Sequence, residues 1–116
     1  MVTTSHIQEG DKLYLVTRRD LSPGYQAVQS CHALRQFTHE HPEVDTEWFT
    51  RSNYLALLAV RDERELFELT QTCAEHGLRF SAFREPDIGD RLTAIAIEPG
   101  RTSSKLCKKI GLALQS

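Results

Sequence analysis

The chain has 116 residues, 26% of them charged and 40% hydrophobic, with 14 Lys plus Arg against 16 Asp plus Glu for a net charge of -2. That size fits one globular domain, and the mixture excludes both a disordered tail protein and a polycation built to coat nucleic acid. No run approaches the roughly 18 apolar residues of a membrane span, and residues 1–10 lack a basic-then-apolar layout, so a cytoplasmic protein without membrane contact is expected.

Residues 1–11 are polar and expected to fray, leaving one domain over 12–116. Leu13-Tyr14-Leu15-Val16-Thr17 is a short apolar run closed by Asp20-Leu21-Ser22-Pro23-Gly24. It reads as a buried strand, then a helix with Ser22 as N-cap and Pro23 in its first turn. In that helix Ala27, Cys31 and Leu34 recur at i, i+4 and i+7, flanked by Val28 and Phe37, which assigns this set to the core; the stop falls near His41-Pro42. Val44 and Trp48, four apart, predict a short helix within 42–52. Residues 54–60 (YLALLAV) read as a strand buried on both faces. Asp62 with Glu65 resembles a capping box opening a helix whose inner face holds Leu66, Phe67, Leu69, Cys73 and Ala74, with Gly77 ending it. A shorter strand at 79–83, a loop at 84–90 and a fourth strand at 92–97 follow, and a last helix carries Leu106, Ile110, Ala113 and Leu114 on its inner side.

This order predicts an α/β, three-layer domain with a four-stranded mixed sheet flanked by helices on both faces. Cys31, Cys73 and Cys107 are too dispersed for a disulfide framework or zinc knuckle and read as small core side chains, so no metal is expected.

The junction at 18–33 concentrates polar groups where a strand end meets a helix start, a place that suits a phosphate or carboxylate. At 100° per residue, Tyr25, Gln29, His32 and Gln36 form one stripe opposite Ala27, Cys31 and Leu34. Four uncharged hydrogen-bonding side chains in a row suit a lined groove, although Gln and Tyr also occur on ordinary surfaces. His32 fits a general acid or base, or a structural hydrogen bond. Asp20 fits a turn or a ligand-facing carboxylate. In the loop Arg84-Glu85-Pro86-Asp87-Ile88-Gly89-Asp90, Glu85 and Asp87 are candidates for a base, a water-positioning group or a metal ligand, although without a nearby His they specify no metal and such loops are as often plain exposed turns; Arg84 is a candidate for gripping a phosphate.

On these residues the chain resembles the type 2 peptidyl-tRNA hydrolases. Asp20-Leu21, Gly24, Ala27, Gln29, His32 and Ala33 are similar to the family's D-L-x-M-x-x-G-K-x-A-A-Q-x-x-H-A motif, and residues 53–60, 62–77 and 92–100 to its later strands and helix. The resemblance implies the fold above, hydrolysis of the ester between peptide and tRNA without a cofactor, tRNA as partner in translation, and a homodimer. Departures are Tyr25 where the family has a catalytic lysine, a shorter segment between Asp20 and Gly24, and a loop at 84–90 without the family's threonine; Thr93 lies in the following strand. The alternative is a catalytically impaired member that binds tRNA, a nucleotide or a protein. A third reading is a different hydrolase or transferase acting on a small substrate.

Asp20, Tyr25, His32, Glu85 and Asp87 are therefore the expected catalytic set, with Arg18, Arg19, Gln29, Gln36 and Arg84 expected to bind substrate. Residues 43–98 carry six basic and twelve acidic side chains, whereas 99–116 carry four basic and no acidic ones. Lys105, Lys108 and Lys109 join the substrate-binding set as a basic strip for an RNA backbone.

Overall fold

The apolar runs at Lys12–Arg18 (β1) and Tyr54–Val60 (β2) pair in parallel, with Leu13 opposite Leu55 and Val16 opposite Leu58. Between them run two helices, Pro23–Glu40 (α1) and Pro42–Arg51 (α2), the long crossover that parallel pairing requires. Glu63–Glu75 (α3) leads to Phe80–Glu85 (β3), and a 3-10 turn at Pro86–Ile88 turns the chain into Arg91–Ile97 (β4). Arg101–Cys107 (α4) follows. The sheet order is β2-β1-β4-β3, with β4 antiparallel to both neighbours. These features come from a computed structural model that describes residues 7–115.

The sheet separates two cores. On one side Leu13, Leu15, Ala94 and Ala96 meet Ala33, Phe37, Val44 and Trp48 of α1 and α2; on the other Val16, Leu58, Ile95 and Ile97 meet Leu66, Leu69, Cys73 and Cys107 of α3 and α4. The expected α/β mixed four-stranded sheet with helices on both faces is what the chain forms.

Several local expectations differ. The inner face of α1 comprises Gln26, Gln29, Ser30, Ala33 and Phe37, while Cys31 is exposed and Val28 is half exposed. Phe37, the largest apolar side chain on the helix, takes the core position, and Ala33, Ser30 and Gln26 follow it inward at i-4, i-7 and i-11. Of the expected set, Phe37 is fully buried and Leu34 packs against the same core, Ala27 is half-buried, and Cys31 and Val28 lie outward. Strand β2 lies at a sheet edge, so Tyr54 and Leu55 remain exposed instead of buried on both faces. Phe67 and Ala74 of α3 are exposed too.

Ile7 belongs to the α1-side core, and the Gln8 N–H donates to Asp11, so packing begins before Lys12; the expected fraying of residues 1–6 lies outside the described residues. The last helix is short. After Cys107 the chain extends along β2, where the Ala59 N–H donates to the Gly111 carbonyl and the Ala113 N–H to Leu57, both at 3.0 Å. Gly111 leaves room there for Arg19: a Cβ would lie 2.8 Å from its guanidinium and the arginine would have to shift. Glycine and the open edge groups of β2 together favour the extended path over further helix.

Candidate active site

Strand β4 contains the irregularity that builds the site. Ala94 and Ala96 face α1, and Ile95 and Ile97 face α3. Strict alternation would send Thr93 toward α3 and Leu92 toward α1. Instead the ladder skips Thr93: Ala94 pairs with Phe83 and Leu92 with Arg84. This β-bulge turns the Thr93 side chain toward α1 and leaves Leu92 in the α3-side core.

Three groups hold the bulge. The Thr17 hydroxyl donates to the Thr93 carbonyl at 2.8 Å, Arg18 donates to the Leu92 carbonyl at 2.9 Å, and the Leu92 N–H donates to Glu63 at 2.9 Å. The Leu92 N–H keeps the Glu63 carboxyl below its ordinary range, with help from Arg91. Arg18 in turn grips both Asp20 oxygens, at 3.0 and 2.9 Å. That clasp lowers the Asp20 carboxyl and raises the Arg18 guanidinium.

Thr93 donates to Gln29 Oε1 at 2.5 Å, and Gln29 Nε2 donates to Glu85 Oε1 at 2.9 Å. Thr93 and Gln29 are fully buried, so the chain of donors runs from the sheet interior to Glu85 at its rim. The Asp87 N–H donates to Glu85 Oε2 at 3.2 Å as the backbone enters the 3-10 turn. The Gln29 amide, the Asp87 N–H and the nearby His32 hold Glu85 ionised, its carboxyl below the usual range despite burial. His32 is exposed and stacks on Phe83 of β3, ring centroids 4.6 Å apart and planes 11° from parallel. Tyr25 is half buried, and burial with the charges of Glu85 and Asp87 raises its phenol, which stays a neutral hydrogen-bond donor. Farther along α1, Gln36 Nε2 donates to the Ala82 carbonyl at 3.2 Å and Glu40 accepts from Ser81.

The predicted stripe Tyr25, Gln29, His32 and Gln36 thus lies against β3, and Gln29, far from facing solvent, is its buried centre. Glu85 acts electrostatically on Tyr25 and feels His32, Asp87 adds its charge at Tyr25 and its N–H at Glu85, and Asp20 forms a separate pair with Arg18. Arg18 is buried and occupied by that pair and by Leu92, so it offers no phosphate grip. Arg19 is engaged with the carbonyls of Ala59 and Leu112 at 3.4 and 3.5 Å. Exposed Arg84 turns back to the Asp90 carbonyl at 3.2 Å. Lys105, Lys108 and Lys109 are exposed at α4, on the other side of the sheet from α1.

Thr93 is the residue that sequence reasoning left in the strand, because a bulge breaks the alternation on which facing is read. The only sequence signal was a Thr amid Leu, Ala and Ile. Among the described residues, no group of three or more His, Cys, Asp and Glu is placed to hold a metal ion.

A solved structure of a protein of unknown function, Atu0240 from Agrobacterium tumefaciens strain C58, shares the fold, with a TM-score of 0.64 at 15% identity over 88% of this chain and 96% of that one. No curated protein matches the chain. The family model for peptidyl-tRNA hydrolase PTH2 matches residues 11–111. With β1 through α4 inside that match, the chain belongs to the PTH2 peptidyl-tRNA hydrolase family.

Proposed function

We propose that this protein hydrolyses the ester joining a peptide to tRNA. The carrying observation is the buried Thr93-Gln29-Glu85 chain, which ends in an ionised carboxylate beside an exposed, ring-stacked imidazole. His32 takes a proton from water as the water oxygen attacks the ester carbonyl carbon, and later returns it to the departing ribose oxygen. The fixed charge of Glu85 favours the imidazolium that forms in between. The Tyr25 hydroxyl donates to the developing oxyanion. Gln29 and Thr93 are positioning residues, and Asp87 acts through its backbone N–H. Asp20, tied to Arg18, supports the bulge instead of touching substrate.

In this reading the protein works in the cytoplasm with tRNA as its partner in translation. Exposed Phe49, Tyr54 and Leu55 support a homodimer, which light scattering would test. Lys105, Lys108 and Lys109 serve as a more distant RNA contact. The alternative of a binding module draws on one residue, Tyr25, which cannot supply the positive charge of the family's lysine near neutrality.

Purified protein should release free tRNA from a model peptidyl-tRNA. His32→Ala should reduce turnover by about 10²–10⁴-fold, the usual range for losing a general base, and Glu85→Gln should reduce it in the same direction. No release by the wild-type protein at high enzyme concentration overturns the hydrolase reading and leaves the binding module.

A further inference from the structure

After α4 the chain lies between two partners. Alternate peptide groups of an extended segment point to opposite sides, and here both sides are used. Toward β2, the Gly111 carbonyl accepts from the Ala59 N–H and the Ala113 N–H donates to Leu57, both at 3.0 Å. Toward the junction of β1 and α1, the Leu112 carbonyl accepts from Arg19 at 3.5 Å, and the Leu114 N–H donates to Gln26 Oε1 at 3.1 Å. Gln26 is buried, and its Nε2 donates to the Leu21 carbonyl at 2.7 Å. One amide therefore joins the loop before α1, the first turn of α1 and the C-terminal segment. Leu114 holds a φ of 64°, costly for a leucine, at the residue whose N–H Gln26 accepts.

Tyr25 lies in the same helical turn. Its hydroxyl has no hydrogen-bond partner among the described residues, so the ring is placed by the backbone that carries it. The ordinary restraint of a helix start is slack here: the Tyr25 N–H reaches the Ser22 hydroxyl at 3.4 Å, and Pro23 and Gly24 are exposed. The shorter bond from Gln26 to Leu21 closes the turn instead. We propose that Gln26 is a positioning residue for the hydrolysis: by tying the C-terminal segment to the loop before α1, it fixes the point at which the Tyr25 hydroxyl meets the oxyanion. The role rests on the hydrolase reading. Misplacing a reacting group by about 1 Å can cost about 100-fold in rate, so a bond one residue away can matter almost as much as the donor itself.

Gln26→Met keeps the side-chain length and removes both bonds. With peptidyl-tRNA as substrate it should lower kcat about 10- to 100-fold. KM should stay within about twofold, because the Tyr25 hydroxyl acts on the transition state. Tyr25→Phe should lower kcat at least as far, and adding Gln26→Met to it should change kcat no further, since one residue acts through the other. Leu114→Pro removes the strap's N–H beyond its pairing with β2 and should lower kcat in the same direction, again with no further effect in Tyr25→Phe. Leu66→Ala supplies the comparison: a fold loosened in the α3-side core should keep the kcat of its folded fraction. A wild-type kcat in either Gln26→Met or Leu114→Pro overturns the positioning role and leaves the hydrolase reading intact. A loss that falls on KM, or one that multiplies in full with Tyr25→Phe, does the same. Should Gln26→Met not fold, Leu114→Pro with and without Tyr25→Phe decides alone. No release by the wild-type protein overturns the hydrolase reading and this role together.

Discussion

The two sides of the sheet are built from different materials. On the α3 side the inward residues are Leu66, Leu69 and Cys73, meeting Val16, Ile95 and Ile97 in an apolar core. On the α1 side the inward face includes Gln26, Gln29 and Ser30, and two of these amides are committed to named partners: Gln26 to the Leu21 carbonyl and the Leu114 N–H, Gln29 to Glu85 and Thr93. A buried amide without partners destabilises the fold, so each one constrains the groups around it. One side of this protein is organised by volume and the other by donors and acceptors. The second is where chemistry can be specified.

Matched substitutions test that difference. Leu66→Ala on the α3 side should lower stability by about 2–5 kcal/mol, the usual range for emptying a buried leucine, while the folded fraction keeps its turnover. Gln29→Leu on the α1 side should cost less, about 1–3 kcal/mol for leaving a buried polar group unpaired, yet abolish most activity because Glu85 and Thr93 lose the group between them. Chemical denaturation and peptidyl-tRNA turnover, measured on both variants, break the comparison if the two effects exchange places.

Acid should distinguish the sides more gently. Glu85 has its carboxyl lowered in the folded state, so its contribution to stability is present above the ordinary carboxylate range near about pH 4.3. It is lost as pH falls through the lowered folded value. Denaturation midpoints between acid and neutral pH should therefore fall toward acid, and Glu85→Gln should flatten part of that dependence. An unchanged slope in Glu85→Gln would show that the carboxylate gains nothing from its Gln29 and Asp87 donors.

Thiol labelling gives the smallest effect. Cys73 and Cys107 lie in the α3-side core, where burial pushes their thiols up to about 11 and about 12, whereas Cys31 is exposed on α1. Iodoacetamide at mildly alkaline pH should modify Cys31 in the native protein and reach the other two only after unfolding. Equal rates at all three would contradict the close packing of the α3 side.

Most of this fold was legible because strands and helices here are bounded by strong punctuation: Ser22-Pro23, His41-Pro42, Asp62, Gly77 and Pro99-Gly100. The α1 stripe was legible as a polar row but not as a buried one, since three of its members can sit in water or bond inward with equal ease. What decides for Gln29 is the pair of partners waiting on the sheet, Glu85 and Thr93, which a count along one helix does not include. Arg18 and Arg19 looked like phosphate ligands because sequence gives a charge without its partner, and Asp20 and the C-terminal carbonyls supply those partners from the fold. The bulge at Thr93 was illegible for a related reason: it is a property of the β3–β4 pair, not of either strand.

That bulge also bears on how the chain finds its structure. A hairpin can ordinarily settle one residue out of step, exchanging which side chains meet which layer. Here a slip would carry the Thr93 hydroxyl into the leucine- and isoleucine-lined side and push Leu92 against the Gln29 amide, breaking the link from Thr93 through Gln29 to Glu85. The polar trio therefore acts as an alignment key for β3 and β4, so that correct assembly of the sheet and assembly of the reactive centre are a single event.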